Sequence, residues 1–150
     1  MSEATIIPAG PADAGELLTL QYAAYLSEAR VYDRLDLPPL KQTFDELHTD
    51  LATLPTWKAV AGTRIVGSIR AHRDGDVLHV GRLMVAPDQQ GRGIGSRLLA
   101  AVEDDLPAGV ERLSLFTGHL SAANLRLYER VGYREVDRRP GPTGVMLVYL

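Results

Sequence analysis

The segment from Leu83 to Leu99 constrains the fold most, because it combines a strand pattern, a glycine-rich turn and a helix pattern without interruption. Gly91, Gly93 and Gly95 lie in the turn, and glycine allows a backbone to approach a ligand closely. The first amides of a helix have no partner within the helix and lie at the positive end of its dipole. The segment therefore predicts a strand–turn–helix unit whose helix begins at an anion-binding site.

Two familiar phosphate-binding loops do not fit this turn. A P-loop requires a lysine directly after its last glycine, and the chain has no lysine after Lys58. A dinucleotide-binding GxGxxG loop requires a third glycine, which is replaced by Ser96 when counted from Gly91 and by Leu98 when counted from Gly93. These mismatches disfavour a nucleotide-binding module.

Strand and helix patterns alternate along the chain, with no internal repeat and no long linker. This organisation predicts one domain over residues 1–150 and an α/β (α+β) fold, with a mixed central sheet and helices on both faces. The predicted strands are 5–8, 57–61, 65–72, 77–86, 112–116, 133–138 and 145–149, and the predicted helices are 13–30, 43–54, 94–106 and 121–131.

Composition and charge exclude several classes of function. The chain has no cysteine, which excludes a disulfide framework, a zinc ribbon and a cysteine nucleophile. Its net charge of -3 argues against a general nucleic-acid binder. It has no basic amino-terminal region followed by an apolar run, and no segment approaches the roughly 18 apolar residues that span a bilayer. We therefore expect a cytoplasmic protein that binds neither nucleic acid nor membrane.

Two motifs together resemble the GCN5-related N-acetyltransferase (GNAT) family. The first is Gln90-x-x-Gly93-x-Gly95, directly after the strand that carries Leu83-x-Val85. The second, about 25 residues later, is a predicted helix that contains Asn124 and Leu-Tyr-Glu and ends in Gly-Tyr. The resemblance covers nearly the whole chain and implies a mostly antiparallel central sheet of six to seven strands.

The resemblance also implies an acetyl-coenzyme A-dependent N-acetyltransferase of the acyltransferase class, with acetyl-CoA (coenzyme A) as its cofactor. In that family the strand before the turn binds pantetheine, and the turn binds the pyrophosphate on backbone amides. Carried over to this chain, the cofactor-binding residues are Leu83, Met84, Val85, Gln90, Gly91, Arg92, Gly93, Ile94, Gly95, Ser96 and Asn124.

Tyr128 and His79 are the predicted catalytic residues. Tyr128 lies on the same helix face as Asn124, and a phenol can protonate the departing thiolate. His79 lies eleven residues before Gln90, an offset that carries a catalytic base in some relatives. His119 or an ordered water are alternative bases, and His79 could equally be a hydrogen-bonded strand residue.

The predicted acceptor is a small-molecule or peptide amine. Residues 1–56 carry three basic and nine acidic side chains, whereas the remaining 94 carry 13 and 10. The first two helices wall the acceptor site in relatives, so this acidic part would attract a cationic amine. The acidic candidates are Glu28, Asp33, Asp36, Asp45, Glu46 and Asp50, and Tyr25, Tyr32 and Trp57 are candidate aromatic wall residues. The resemblance is also compatible with a homodimer and with a non-catalytic acyl-CoA-sensing module.

Overall fold

The computed structural model describes residues 4–141 and 145–150, which form two sheets. A five-stranded sheet has the order β1-β2-β3-β4-β5, antiparallel except for the parallel pair β4 and β5. A three-stranded antiparallel sheet has the order β6-β8-β7. The strands are β1 Thr5–Pro8, β2 Thr56–Ala61, β3 Arg64–Asp74, β4 Val77–Val85, β5 Arg112–Ser114, β6 Phe116–Gly118, β7 Asp137–Pro140 and β8 Met146–Tyr149.

Within these ranges five α-helices connect the strands, and short 3-10 turns occupy Pro11–Asp13 and Pro87–Gln89. The helices are α1 Ala14–Tyr32, α2 Pro38–Lys41, α3 Phe44–Thr53, α4 Ile94–Asp104 and α5 Ala122–Arg130. Helix α3 begins at a capping box in which Thr43 and Glu46 satisfy each other's backbone amides. No helix within the described ranges is long and apolar enough to cross a membrane.

The two sheets separate where β5 gives way to β6. Strand β5 pairs with β4 only over residues 77–79. Leu115 then exchanges two backbone hydrogen bonds with Leu150, of 3.1 and 2.9 Å, and β6 pairs with β8 instead. The carboxyl-terminal half of β4 therefore has no strand neighbour on this side among the described residues, which leaves an opening between the two sheets.

Strand β4 contains a bulge at this opening. Met84 pairs with Ser68 and Gly81 with Arg70, so β4 contains one residue more than β3 between these two pairs. Arg82 lies in the bulge with a φ of 51°, in the left-handed region that non-glycine residues seldom adopt. An irregularity of this kind changes the direction in which a strand presents its side chains.

Helices cover both faces of the larger sheet. On one face, a Cβ added to Gly67 would lie 3.0 Å from Ile94 Cγ2 and 3.2 Å from Leu98 Cδ1, so α4 packs directly against β3. On the other face, Arg70 contacts Gln21 of α1. The largest fully buried apolar side chains among the described residues come from α1, α3, α4 and both sheets: Leu17, Leu47, Val66, Ile69, Leu78, Leu98, Leu99, Val102 and Val148.

The predicted mixed, mostly antiparallel fold with helices on both faces is confirmed, with differences in detail. The strands number five plus three rather than six to seven in one sheet. The predicted strand 133–138 begins only at Asp137, because the chain first leaves α5 through Gly132, whose φ is 108°. The chain break expected at Pro38 and Pro39 contains the short helix α2, since proline is well suited to a first helical turn.

Candidate active site

Two cavities meet beside the exposed half of β4. The larger, of about 690 Å³, lies between the two sheets and helices α1 to α3. The smaller, a groove of about 420 Å³, lies between α1, the glycine-rich turn and α5. Tyr25, Glu28, Leu83 and Asn124 line both, and we call these four residues the junction. A molecule in the groove can therefore approach one in the larger cavity at this point.

The groove is built around the amino terminus of α4. Gly91 and Gly93 both have a φ of 79°, and a Cβ added to either would meet no atom within 4 Å. Within the described part of the chain no side chain caps this helix, and the Arg97 amide donates to Gly93 O at 3.1 Å. The amides that precede Arg97 in the helix can therefore serve as donors to an anion, which fits a pyrophosphate.

The groove brings together nearly all the residues predicted to bind the cofactor. Those that line it are Leu83, Met84, Val85, Gln90, Gly91, Gly93, Ile94, Gly95, Ser96 and Asn124. Arg92 is exposed and is not among the residues that line the groove.

Two arginines that we did not predict from the sequence also line the groove. Arg126 and Arg130 are exposed on α5, four residues apart, and so lie on one helix face. Ala123 and Leu127 line the groove from the same stripe of the helix. The four-residue spacing of the two arginines on a predicted helix is visible in the sequence. Together they add two positive charges beside the predicted pyrophosphate site.

Tyr128 lies in the wall of the larger cavity and is only 5% exposed. Within the described ranges no residue hydrogen-bonds to its hydroxyl, so that group can serve a bound molecule. Burial raises the pKa of the Tyr128 phenol well above its ordinary value, and the neighbouring Tyr25, Glu28 and Tyr133 raise it further. The phenol is therefore held in its protonated form, as a proton donor must be.

His79 lines the larger cavity but lies away from the junction. It stands opposite His72 across β3 and β4, and the two rings are 6.2 Å apart. Its Nε2 is 3.9 Å from Asp74 Oδ2, and its side chain is 49% exposed. Leu83 lies four positions further along β4 and beyond the start of the bulge, which is about 10 to 13 Å at the usual rise. His79 would therefore need a bridging water, or a long acceptor, to exchange a proton at the junction.

His119, the alternative base, lies in the turn between β6 and α5. Its ring contacts Met146 O at 3.2 Å and lies 6.0 Å from the Tyr32 ring. It is not among the described residues that line the larger cavity.

A chain of hydrogen bonds orients Glu28 at the junction. The Leu120 amide donates to the Tyr32 hydroxyl at 2.9 Å, and that oxygen lies 2.7 Å from Ser121 Oγ. Ser121 in turn donates to Glu28 Oε2 at 2.5 Å. Since an ionised carboxylate can only accept, each group donates a hydrogen bond to the next in the order Leu120, Tyr32, Ser121, Glu28. Ser121, at the start of α5, thus joins that helix to α1.

Only part of the acidic first third faces the larger cavity. Glu28 and Asp50 line it. Asp36 instead pairs with Arg34 at 2.8 Å, and Glu46 caps α3. Asp33 and Asp45 are exposed and are not among its lining residues.

The aromatic candidates divide in the same way. Tyr25 and Tyr32 line the larger cavity, as predicted. Trp57 packs against the hydrophobic core from β2.

Known proteins resemble this chain in sequence. One curated relative, "IAA acetyltransferase" from Azospirillum brasilense, is 39% identical over 80 residues, which are 52% of this chain and 51% of that protein. The B. subtilis protein YqkA is 23% identical over 134 residues, 89% of this chain but 38% of YqkA. The chain thus spans about half or less of the length of these two curated relatives.

Solved structures share the fold. The ribosomal-protein-S18-alanine N-acetyltransferase of Escherichia coli superposes with a TM-score of 0.78 at 20% identity, covering 97% of this chain and 90% of that one. The PaiA N-acetyltransferase of Thermoplasma acidophilum, solved in complex with coenzyme A, gives 0.80 at 15% identity, with 99% and 98% covered. The profile described as "Acetyltransferase (GNAT) domain" matches residues 39–148. This chain, with its groove at the glycine-rich turn and its two separate sheets, therefore belongs to the GNAT acetyltransferase family.

Proposed function

We propose that this chain is an N-acetyltransferase that moves the acetyl group of acetyl-CoA directly to a primary amine within a ternary complex. The observation that carries this proposal is the meeting of the two cavities at the junction, with Tyr128 in the adjoining wall. A groove for one substrate that opens into a cavity for the other is the arrangement that direct transfer requires. The absence of cysteine from the sequence leaves no cysteine to carry the acetyl group.

The cofactor of this family is acetyl-CoA, and the groove fits it. Gly91 and Gly93 leave space beside the amides of α4, Gly95 allows Leu127 of α5 to pack closely, and Arg126 and Arg130 offset the charge of the cofactor's phosphates. Leu83 to Val85 on β4 and Asn124 on α5 would bind the pantetheine arm and bring its end to the junction. When bound, acetyl-CoA supplies an acetyl group that is activated as a thioester.

The amine must lose a proton before it can react. An alkylammonium has a pKa of about 10.4, so forming the neutral amine at pH 7 costs about 4 to 5 kcal/mol. Glu28 is placed to hold the ammonium at the junction, because its carboxylate is fixed by Ser121. His79 is the proposed base and would receive the proton through water in the larger cavity.

Tyr128 is the proposed acid that protonates the departing sulfur. Its raised pKa keeps the proton available on the phenol. Asn124 lies one helical turn before it and lines the same cavity, so α5 would contact both the cofactor and the reacting group.

The first prediction tests cofactor binding and turnover separately. We expect acetyl-CoA to bind, as measured by titration calorimetry, and thiol to be released when polyamines, amino acids or peptide amino termini are added. No binding at millimolar concentration would contradict the proposed function. Binding without thiol release for every amine would favour an acyl-CoA-sensing module instead.

The second prediction concerns pH. Because burial raises the folded-state pKa of Tyr128, its phenol keeps its proton where a free tyrosine, with a pKa of about 10, begins to lose it. We expect no fall in kcat from Tyr128 ionisation between pH 8 and 10, as measured by a pH–rate profile. A descending limb in that range that is absent from Tyr128→Phe would show that the phenol ionises early.

The single domain over 1–150, the homodimer and the cytoplasmic location stay predictions.

A further inference from the structure

Strands β3 and β4 bring two arginines together in the wall of the larger cavity. Arg70 stands opposite Gly81, and Arg82 follows Gly81 in the bulge of β4. Both line the larger cavity, and neither is among the described residues that line the groove. Their charges therefore face the acceptor side of the site.

Arg70 is fixed in place by a buried polar network. It is 4% exposed, and its Nη2 donates to Gln21 Oε1 at 2.8 Å. Gln21 is itself fully buried and donates to Pro39 O and to Gln42 Oε1, each at 2.9 Å. Because this hydrogen bond to Gln21 fixes the planar guanidinium, its remaining donors have a fixed orientation.

Arg82 has no partner of its own among residues 4–141 and 145–150: no carboxylate or hydrogen-bond acceptor pairs with its guanidinium. Burial, followed by the charge of Arg82, lowers the pKa of Arg70 to about 10. The two guanidinium groups therefore repel each other within the same partly buried cavity wall. Such an arrangement is unfavourable unless an anion is bound there.

The protein supplies only part of the compensating charge. Asp50 lies 3.5 Å from Arg70 Nη1, and its Oδ2 also accepts from Gln42 at 2.7 Å. The third arginine of the cavity, Arg139, is already paired with Asp137 at 2.7 Å. Positive charge thus remains unbalanced at Arg82.

We propose that the acceptor carries a carboxylate as well as its amine, and that this carboxylate binds between Arg70 and Arg82 while the ammonium faces Glu28. The proposal rests on the proposed acetyl-transfer function. A planar guanidinium offers paired donors that match the two oxygens of a carboxylate. A cavity of about 690 Å³ suits a small molecule, which makes free amino acids the class of acceptor.

Paired substrates test the proposal. Each amino acid is compared with its own amide, which keeps the amine and removes the negative charge, and kcat/KM is measured by thiol release. We expect the acids to be preferred by about 10- to 100-fold, as for a charge-assisted hydrogen bond. The amide has the less basic amine, so a preference for the acid cannot arise from easier deprotonation. β-Alanine and phosphoethanolamine form a further pair that distinguishes a carboxylate from a phosphate.

Arg82→Gln should remove the preference, giving a ratio of acid to amide near one, with acetyl-CoA affinity unchanged by calorimetry. Arg139→Gln is the matched control and should keep the wild-type ratio, because that charge is already neutralised by Asp137. Arg82 is unpartnered among the described residues, so its replacement breaks no hydrogen bond of the fold.

Several results would overturn the inference while the acetyl-transfer function stands. These are turnover of amides as fast as acids, an unchanged ratio in Arg82→Gln, or a preference for phosphoethanolamine over β-alanine. Acetyl-CoA binding without turnover of any amino acid would also overturn it. Failure of acetyl-CoA binding itself would instead remove the proposed function.

Discussion

Replacing Tyr128 with phenylalanine is expected to lower kcat by about 10²- to 10⁴-fold, the range typical of a lost general acid. The ring fills the same space, so the buried wall of the cavity is preserved. Only the hydroxyl, the proposed proton donor for the departing sulfur, is removed. Acetyl-CoA affinity, measured by titration calorimetry, should stay within about twofold of the wild type, while steady-state thiol release gives kcat.

Tyr133→Phe is the matched control for this variant. Its ring lies 6.1 Å from that of Tyr128, and its buried hydroxyl has no hydrogen-bond partner among the described residues. Removing that hydroxyl should leave kcat unchanged and stabilise the fold slightly, by about 1 kcal/mol, because an unsatisfied polar group is lost. Equal kcat in Tyr128→Phe and wild type, under conditions where chemistry limits the rate, would exclude Tyr128 as the acid.

Replacing Gly67 with alanine is expected to lower the free energy of unfolding by about 1 to 3 kcal/mol. The added Cβ would lie 3.0 Å from Ile94 Cγ2 and 3.1 Å from Met84 O. The carbonyl belongs to the sheet and cannot move easily, so Ile94, at the start of α4, must shift. Because the groove is built on that helix end, acetyl-CoA affinity should fall as well. Urea denaturation and calorimetry measure the two effects.

Gly81→Ala serves as the control on the neighbouring strand. A Cβ at Gly81 meets no atom within 4 Å, so the free energy of unfolding should change by less than about 0.5 kcal/mol. If Gly67→Ala were as stable as Gly81→Ala, α4 would not be seated against β3 as closely as the structure has it.

The local elements of this fold could be predicted because their signals are local. The glycines before Ile94 and the apolar spacing after it predict both the turn and α4. The change of partner at Leu115 could not be predicted, since it depends on hydrogen bonds to Leu150, 35 residues away in the chain. The bulge at Arg82 also leaves no mark in a continuous strand pattern.

In the candidate site, too, the contacts between neighbouring residues could be predicted and the long-range contacts could not. Ten of the predicted cofactor-binding residues line one groove, because they lie close together in the sequence or on one helix face. The association of Arg70 with Arg82 depends on strand register, and that of Glu28 with Ser121 on contact between helices far apart in the chain. Residue types and spacing alone give no information about such contacts, so these residues required the structure.

The single extra residue in β4 divides that strand into a first segment that lines the larger cavity and a second that lines the groove. His79 and Gly81 share a face with Met84 only because the bulge shifts the alternation by one residue. Deleting Arg82 would restore a regular pleat without moving Met84 or Val85 to the other face, because one residue would then lie between the two pairs on each strand. The deletion would instead remove the change of strand direction at the opening, and substitutions before the bulge would alter the larger cavity while the groove stays intact. We therefore expect the lining of the larger cavity to be changeable independently of the groove.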